Sequence, residues 1–272
     1  MARPSPVINV MTLTARKAAR ELVRDFGEVE QLQVSRKGPA DFVSAADLRA
    51  EKTIFRELSK ARPGYGFLME EGSGATAEGD GRHRWIVDPL DGTTNFLHGV
   101  PHFAISIALE VDGEIVAGVV HQPLTDETYW AERGQGAHLN DRRLRVSSRA
   151  KLEDALIGTG IPFKGEEGHG HYLGTLARIT PMVSGVRRMG AAALDLAYVA
   201  AGRYEAFWEF DLKPWDIAAG ILLVREAGGY VTTPGGDPNV LPSGDILAAN
   251  DRLHQPLAEL IRSVPRTVDA AA

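Results

Sequence analysis

The run Trp85-Ile86-Val87-Asp88-Pro89-Leu90-Asp91-Gly92-Thr93-Thr94-Asn95-Phe96 constrains this chain more than any other segment. A short apolar stretch, the pattern of a buried strand, ends on two aspartates three residues apart, and a Gly-Thr-Thr turn follows at once. Carboxylates at the end of a buried strand have lost solvent and repel one another. Two unit charges about 4 Å apart cost roughly 4 kcal/mol at an effective dielectric near 20. Such a pair either takes up protons or recruits cations. The turn adds free backbone N–H groups and a hydroxyl, which suit an anion such as phosphate. A surface Asx-Pro turn is the bland alternative, but an exposed turn has no need of Trp-Ile-Val leading into it. An acid cluster and an anion cradle on one loop imply a metal ion bridging carboxylates to a phosphate, the arrangement of a metal-dependent phosphatase.

The rest of the chain is compatible with a globular enzyme. At 272 residues it is one large domain or two halves sharing a core. No apolar run approaches the roughly 20 residues needed to span a bilayer. Met1-Ala2-Arg3-Pro4-Ser5-Pro6 has one basic residue and no long apolar stretch, so it is not read as a secretory signal. The default expectation is therefore the cytoplasm, with no membrane partner. There is no cysteine, which excludes disulfides and thiolate metal sites. A net charge of −6 argues against a broad nucleic-acid footprint.

Apolar residues at Ile8, Met11, Ala15, Ala18, Leu22 and Phe26 predict a helix over 7–26. A second is expected from about Asp47 to Ala61 with Leu48, Ile54, Phe55 and Leu58 inward, stopped by Arg62-Pro63-Gly64. Gly66–Met69 and Trp85–Val87 read as strands, with a mobile loop from Gly72 to Arg84. Phe103–Val111 and Glu114–His121 flank Asp112-Gly113, a hairpin signal. Thr128–Ala131 and Arg143–Ser147 are expected to continue the meander. The second half alternates: strands at 155–160, 186–188, 205–209, 230–233 and 246–249, helices at 171–180, 191–201, 216–226 and 253–263. The sheets should be mixed, with helices on their outer faces. No internal repeat is evident, and the tail after Pro265 reads as disordered.

Other residues have both a structural and a chemical reading. Glu70-Glu71 follows a short apolar strand one strand upstream of the Asp pair. Asp216, in Lys213-Pro214-Trp215-Asp216-Ile217-Ala218-Ala219-Gly220, is either a first-turn helix residue or a ligand. The small residues after it suggest a helix packed very close to something. Asp47 can cap its helix, and Asp41 lies nearby. Lys37 is either a solvated charge or a phosphate partner. His169-Gly170-His171 sits in a Gly-rich stretch and is expected to be exposed. Ser106, Ser147 and Ser148 lack a nucleophile-elbow context, so covalent serine catalysis has no support.

Taken together, these segments resemble the inositol monophosphatase family of Mg²⁺-dependent, lithium-sensitive phosphatases. Asp88 to Phe96 is similar to its first signature. Trp215-Asp216-Ile217-Ala218-Ala219-Gly220, running on to Glu226-Ala227-Gly228-Gly229, is similar to its second. Asp41-Phe42-Val43-Ser44 with Asp47, then Glu70-Glu71, fill the upstream acidic positions. The likeness covers about residues 7 to 263. Around Arg187 to Leu196 and Glu209 to Trp215 it is similar to the bacterial SuhB-type branch, some of whose members act with the transcription machinery. Two departures stand out: Met69 where Gly is usual, immediately before the Glu pair, and Ser44 for the usual Thr, which keeps the hydroxyl.

The resemblance implies an α+β fold, a layered α-β-α-β-α sandwich. Residues 1–150 would form an α+β half carrying most metal ligands, and 151–272 an α/β half carrying Asp216 and the specificity region. It implies two or three Mg²⁺ per site. Glu70, Asp88 and the Leu90 carbonyl would hold the first ion, and Asp88, Asp91 and Asp216 the second. Glu70 with waters would hold a third. Thr93, supported by Asp47, would orient the attacking water with Glu70, while Gly92 and Thr93 N–H groups grip the phosphate. Glu209 and Ala192 would meet the substrate. The implied substrate is a small phosphorylated polyol, with inositol 1-phosphate first. Histidinol phosphate, fructose 1,6-bisphosphate and NADP are the rivals, since Glu209 suits either sugar-like hydroxyls or a cationic amino alcohol. A homodimer is a further implication, and a regulatory partner of the transcription machinery is the rival from another class.

Overall fold

The opening helix begins where its sequence can satisfy a helix start. Ser5 is extended and its hydroxyl accepts the N–H of Ile8 at 3.3 Å, while Pro6 occupies the first turn, where its missing N–H costs nothing. Helix α1 (Pro6–Phe26) buries Ile8, Met11, Ala15, Ala18 and Leu22 as the periodicity predicts. The structure, a computed structural model, describes residues 4–28, 34–38, 41–72, 79–162 and 167–266, with only the backbone at 34–38 and 41–43. A two-stranded ribbon, β1 (Val34–Gly38) and β2 (Asp41–Ser44), leads into α2 (Ala45–Ala61). That helix starts before Asp47 because Ser44 caps it and Asp47 closes a reciprocal capping box. Ile54 and Leu58 face inward, but Leu48 is 43% exposed. Leu48 lies two residues, about 200° of helix, from buried Ala50 and so points away from the core.

Helices α1 and α2 cover one face of a seven-stranded sheet. Its order is β3 (Gly66–Met69), β4 (His83–Asp91), β5 (Ala104–Val111), β6 (Glu114–Gln122), β7 (Glu127–Glu132), β8 (Gly136–Leu139) and β9 (Arg142–Arg143). β3 and β4 are parallel and the remaining neighbours antiparallel. Asp112 and Gly113 both have positive φ, the geometry a two-residue hairpin of this twist requires. Three expectations are corrected here. β4 starts earlier and continues through both aspartates, so they lie within a strand that is irregular between Asp88 and Asp91. Gly136–Leu139 is an additional strand. The strand expected at Arg143–Ser147 shrinks to Arg142–Arg143, because the chain then turns to the second half, where the Val146 N–H bonds Ala227 O.

A five-stranded mixed sheet follows in the order β11 (Gly185–Arg187), β10 (Leu156–Thr159), β12 (Ala206–Glu209), β14 (Ile246–Ala249) and β13 (Tyr230–Thr232). Helices α4 (His169–Ile179) and α7 (His254–Arg262) pack on its outer face. Two further helices, α5 (Ala192–Ala200) and α6 (Pro214–Glu226), lie between the sheets rather than on an outer face. A helix apolar all round has no face to give to water, and Ile217 to Val224 are all buried. Small residues permit the close approach: a Cβ on Gly118 of β6 would come within 3.0 Å of Ala219, and one on Gly220 within 2.5 Å of Leu196. The layers are thus α-β-α-β-α.

His169-Gly170-His171 opens α4, and His171 is buried with its ring 4.9 Å from that of Phe210, contrary to the expected exposure. Residues 267–272, most of the stretch expected to be disordered, fall outside the described residues, as do 73–78 of the expected loop. Among the described residues no helix is long and apolar enough to cross a membrane.

Candidate active site

Parallel pairing brings the first two acids together. Met69 is in register with Val87, so the next residues, Glu70 just past β3 and Asp88 within β4, stand side by side. The Glu70 N–H bonds Val87 O at 3.2 Å. Met69 itself is taken up in the core beneath α1 and α2, with Phe67, Trp85 and Val87. Across the sheet Asp88 is paired with Ser106, whose hydroxyl donates to Trp215 O at 3.1 Å. That bond fixes the start of α6 over Asp88, which is where Asp216 stands. Asp91 accepts the N–H of Ala193 at 2.8 Å, tying the end of β4 to the first turn of α5.

The four carboxylates sense one another strongly. Asp88 is fully buried, and burial, then Glu70, Asp91 and Asp216, push its carboxyl well above the usual range. Burial and then Asp216 do the same to Asp91, against the opposing Ala193 N–H, with Glu70 and Glu209 adding to the rise. Three of the four spend oxygen capacity on a nearby backbone N–H: Asp88 on Leu90 at 2.8 Å, Asp91 on Ala193, and Asp216 on Lys213 at 2.7 Å. Among the described residues no three acids or histidines stand in finished ligand geometry. The donor set nonetheless fits a hard divalent cation. It is all oxygen, with Asp88 and Asp91 buried and Glu70 and Asp216 half-buried, and Mg²⁺ selects carboxylates and carbonyls.

Beside the cluster, the Thr93 hydroxyl lies 3.0 Å from both Asp47 Oδ1 and Leu90 O. Asp47 is fully buried, and its other oxygen accepts the Ser44 N–H at 2.9 Å and the Ser44 hydroxyl. Burial raises its pKa, while the bonds from Ser44 and Thr93 oppose the rise. Asp47 therefore both caps α2 and holds Thr93. Gly92 has φ 91, and a Cβ there would meet His102 O at 3.0 Å. It opens the short helix α3 (Thr93–Leu97), whose first N–H groups have no intrahelical acceptor.

Glu209 ends β12 on the second half. Gly160 makes room for it, since a Cβ at 160 would overlap the Glu209 carboxyl at 1.7 Å. Ala192 is the first residue of α5, next to the Ala193 N–H that Asp91 accepts. The structure thus gathers Glu70, Asp88, Asp91 and Asp216 around one point, with Thr93, Asp47 and Leu90 on one side and Glu209 and Ala192 on the other. The side chains of Lys37 and Asp41 lie outside the described residues, and Glu71 N–H bonds the buried Glu51 instead.

Three residues acquire roles here that their sequence context did not suggest. Ser106 positions α6. Asn95 donates to His102 O and Met189 O, both at 2.8 Å, joining the signature loop to the second half. Asp195 is buried on α5 with Oδ1 unpartnered; burial, Glu209 and Asp91 raise its pKa against Arg188. Only the position of Asn95 inside the signature run hinted at any of them.

A ring of buried and half-buried carboxylates at strand ends and helix starts, beside an N–H-rich turn and between two sheets, is the arrangement of a phosphate-ester hydrolase. The model of the inositol monophosphatase family matches residues 3–266. An inositol-1-monophosphatase of Mesorhizobium japonicum is 59% identical over 262 residues, 96% of this chain and 98% of that one. The Nus factor SuhB of Pseudomonas aeruginosa is 45% identical, covering 94% and 96%. The crystal structure of the extragenic suppressor protein SuhB from Bartonella henselae superposes with a TM-score of 0.92 at 58% identity, covering 95% and 99%. The chain belongs to the inositol monophosphatase family, whose members are phosphatases.

Proposed function

We propose that this protein hydrolyses inositol 1-phosphate, or a closely related polyol phosphate, by direct attack of water on phosphorus. The observation that carries the reading is the convergence of four acids from the end of β3, β4 and α6, Asp88 and Asp91 among them buried, beside the Thr93–Asp47 pair. The 59% identity to a protein named inositol-1-monophosphatase supports the substrate. Glu70, Asp88 and the Leu90 carbonyl would hold one Mg²⁺, and Asp88, Asp91 and Asp216 a second, with a third on Glu70. Mg²⁺ held by these residues would neutralise phosphate oxygens, acidify water and stabilise the leaving alkoxide. The Thr93 hydroxyl, held by Asp47, orients the attacking water together with Glu70. The N–H groups of Gly92 and Thr93 meet phosphate oxygens. Glu209 accepts bonds from the polyol hydroxyls, and Ala192 leaves space for the ring.

In this reading the residues before about 150 carry most of the metal chemistry and those after it the specificity, with a homodimer as the working assembly. The test is phosphate release from inositol 1-phosphate, histidinol phosphate, fructose 1,6-bisphosphate and 2′-AMP, with and without Mg²⁺ and with added Li⁺. Mg²⁺-dependent, Li⁺-inhibited release led by inositol 1-phosphate is expected. A different leading ester would keep the mechanism and replace the substrate. The likeness to proteins named Nus factor SuhB favours one second reading, a partner of the transcription machinery. No turnover of any ester by folded, Mg²⁺-loaded protein, with salt-sensitive copurification with RNA polymerase, would put that reading first.

A further inference from the structure

Six residues, 210–215, connect Glu209 to Asp216 and so set the distance between the two ends of the candidate site. The link includes a non-glycine residue in the left-handed region, Asp211 with φ 57, a conformation that the surroundings must impose. Two of its backbone N–H groups donate to the loop before β14, one to a carbonyl and one to a side chain. The Leu212 N–H donates to Gly244 O at 3.1 Å, and the Asp211 N–H to Asp245 Oδ1 at 3.3 Å. The approach is close enough that a Cβ on Gly244 would fall 2.0 Å from Leu212 O.

Asp245 has a second connection. Its Oδ2 pairs with Arg266, from the segment that follows α7. The same guanidinium lies 5.6 Å from the centroid of Phe210, the first residue of the link. Two more contacts hold this segment in place: Pro265 O lies 3.2 Å from His171 Nδ1, and Val264 lies against Gly174, where a Cβ would meet it at 2.6 Å. Behind the link is a cavity of about 580 Å³ lined by His171, Phe210, Asp245 and Arg266 among others, rather than packed core. The far end of the link is held separately, by Ser106 on Trp215 O and by the Lys213 N–H on Asp216, so Asp245 and Arg266 bear on residues 210–212, next to Glu209.

We infer that Arg266, acting through Asp245 and Phe210, is a positioning residue that holds the 210–215 link and thereby aims Glu209 at the substrate. The inference rests on the proposed role of Glu209. Arg266 touches neither the reacting phosphate nor the acid cluster. Because Ser106 and the Lys213 N–H hold the Asp216 end independently, loss of Arg266 acts on polyol recognition and leaves the chemical step alone.

The experiment compares Arg266→Ala, Arg266→Lys and Asp245→Asn with the parent in the full chain. Backbone amide exchange at Asp211 and Leu212 is measured by mass spectrometry, alongside KM and kcat for inositol 1-phosphate and p-nitrophenyl phosphate. In Arg266→Ala, exchange at both amides should quicken. KM for inositol 1-phosphate should rise about two- to fivefold, the range set by loss of a solvent-exposed ion pair. Values for p-nitrophenyl phosphate should stay within experimental scatter. Arg266→Lys should restore part of the protection, and Asp245→Asn, which keeps an acceptor for the Asp211 N–H, should behave like Arg266→Ala. Unchanged exchange in Arg266→Ala, or equal KM changes on both esters, would overturn the inference. A parent enzyme that does not turn over inositol 1-phosphate would instead refute the function proposed above, and the exchange data would still decide whether Arg266 holds the link.

Discussion

Replacing Thr93 by valine tests the water-orienting pair with two independent readouts. The hydroxyl is 3.0 Å from Oδ1 of Asp47, whose carboxylate is fully buried. Valine keeps the volume and removes the donor, leaving a buried acceptor unmet at a cost of about 1–3 kcal/mol. For a chain of this size that corresponds to a fall in Tm of about 2–5 °C. The deficit should depend on pH. Burial raises the Asp47 pKa, so the stability this group contributes is complete below its unfolded value and is lost as pH rises through the folded one. The Thr93 bond favours the charged form and restrains that rise. Without it the folded pKa climbs further, so the gap between variant and parent should widen from about pH 4 towards 7. Turnover should fall about 100-fold or more, the usual worth of a proton-handling group at a reacting water, and Thr93→Ser should recover most of it. Scanning fluorimetry of metal-free protein across this range, with phosphate release at pH 7.5, makes the comparison. A deficit equal at both ends of the range, or serine no better than valine, would refute the assignment.

Asp91→Asn should abolish phosphate release while leaving Tm unchanged or higher, since it removes one charge from a repelling buried cluster; near-parental activity would exclude Asp91 from the chemistry. Glu209→Ala should impair inositol 1-phosphate far more than p-nitrophenyl phosphate, and Gly160→Ala, which crowds that carboxyl, should act in the same direction; equal losses on both esters would make Glu209 structural. Gly220→Ala should lower stability by about 1–3 kcal/mol in a urea titration, because the new methyl must displace Leu196, 2.5 Å away. A neutral result there would mean that α5 and α6 can separate without penalty.

The sequence made the strand-borne acids legible because Trp85-Ile86-Val87 announces burial and Asp88 and Asp91 contradict it. Most helices were legible too, since their apolar spacing is strong. What escaped depended on neighbours. Gly136–Leu139 begins with glycine and carries His138, so nothing in its composition marks a strand; its pairing with β7 makes it one. Leu48 looked inward by type, yet the buried face of α2 includes Asp47 and Glu51, whose partners lie far along the chain. His171 is buried by Phe210 and Pro265, which no local window contains. The same holds for Ser106, which matters only because α6 arrives 109 residues later to meet it.

Helix α6 also has a consequence for how the chain is made. The seven-stranded sheet is complete at Arg143, but the face that α6 covers cannot be closed until residues 214–226 have been synthesised. At about 5–20 residues per second, several seconds of ribosomal elongation separate the two events. During that interval Ile86, Val120 and Ala131, all buried by the finished fold, face the cell on a partly built sheet. A pause in translation between β9 and α6 would lengthen that exposure. Changes that slow decoding there should therefore reduce soluble yield without altering a single residue of the enzyme.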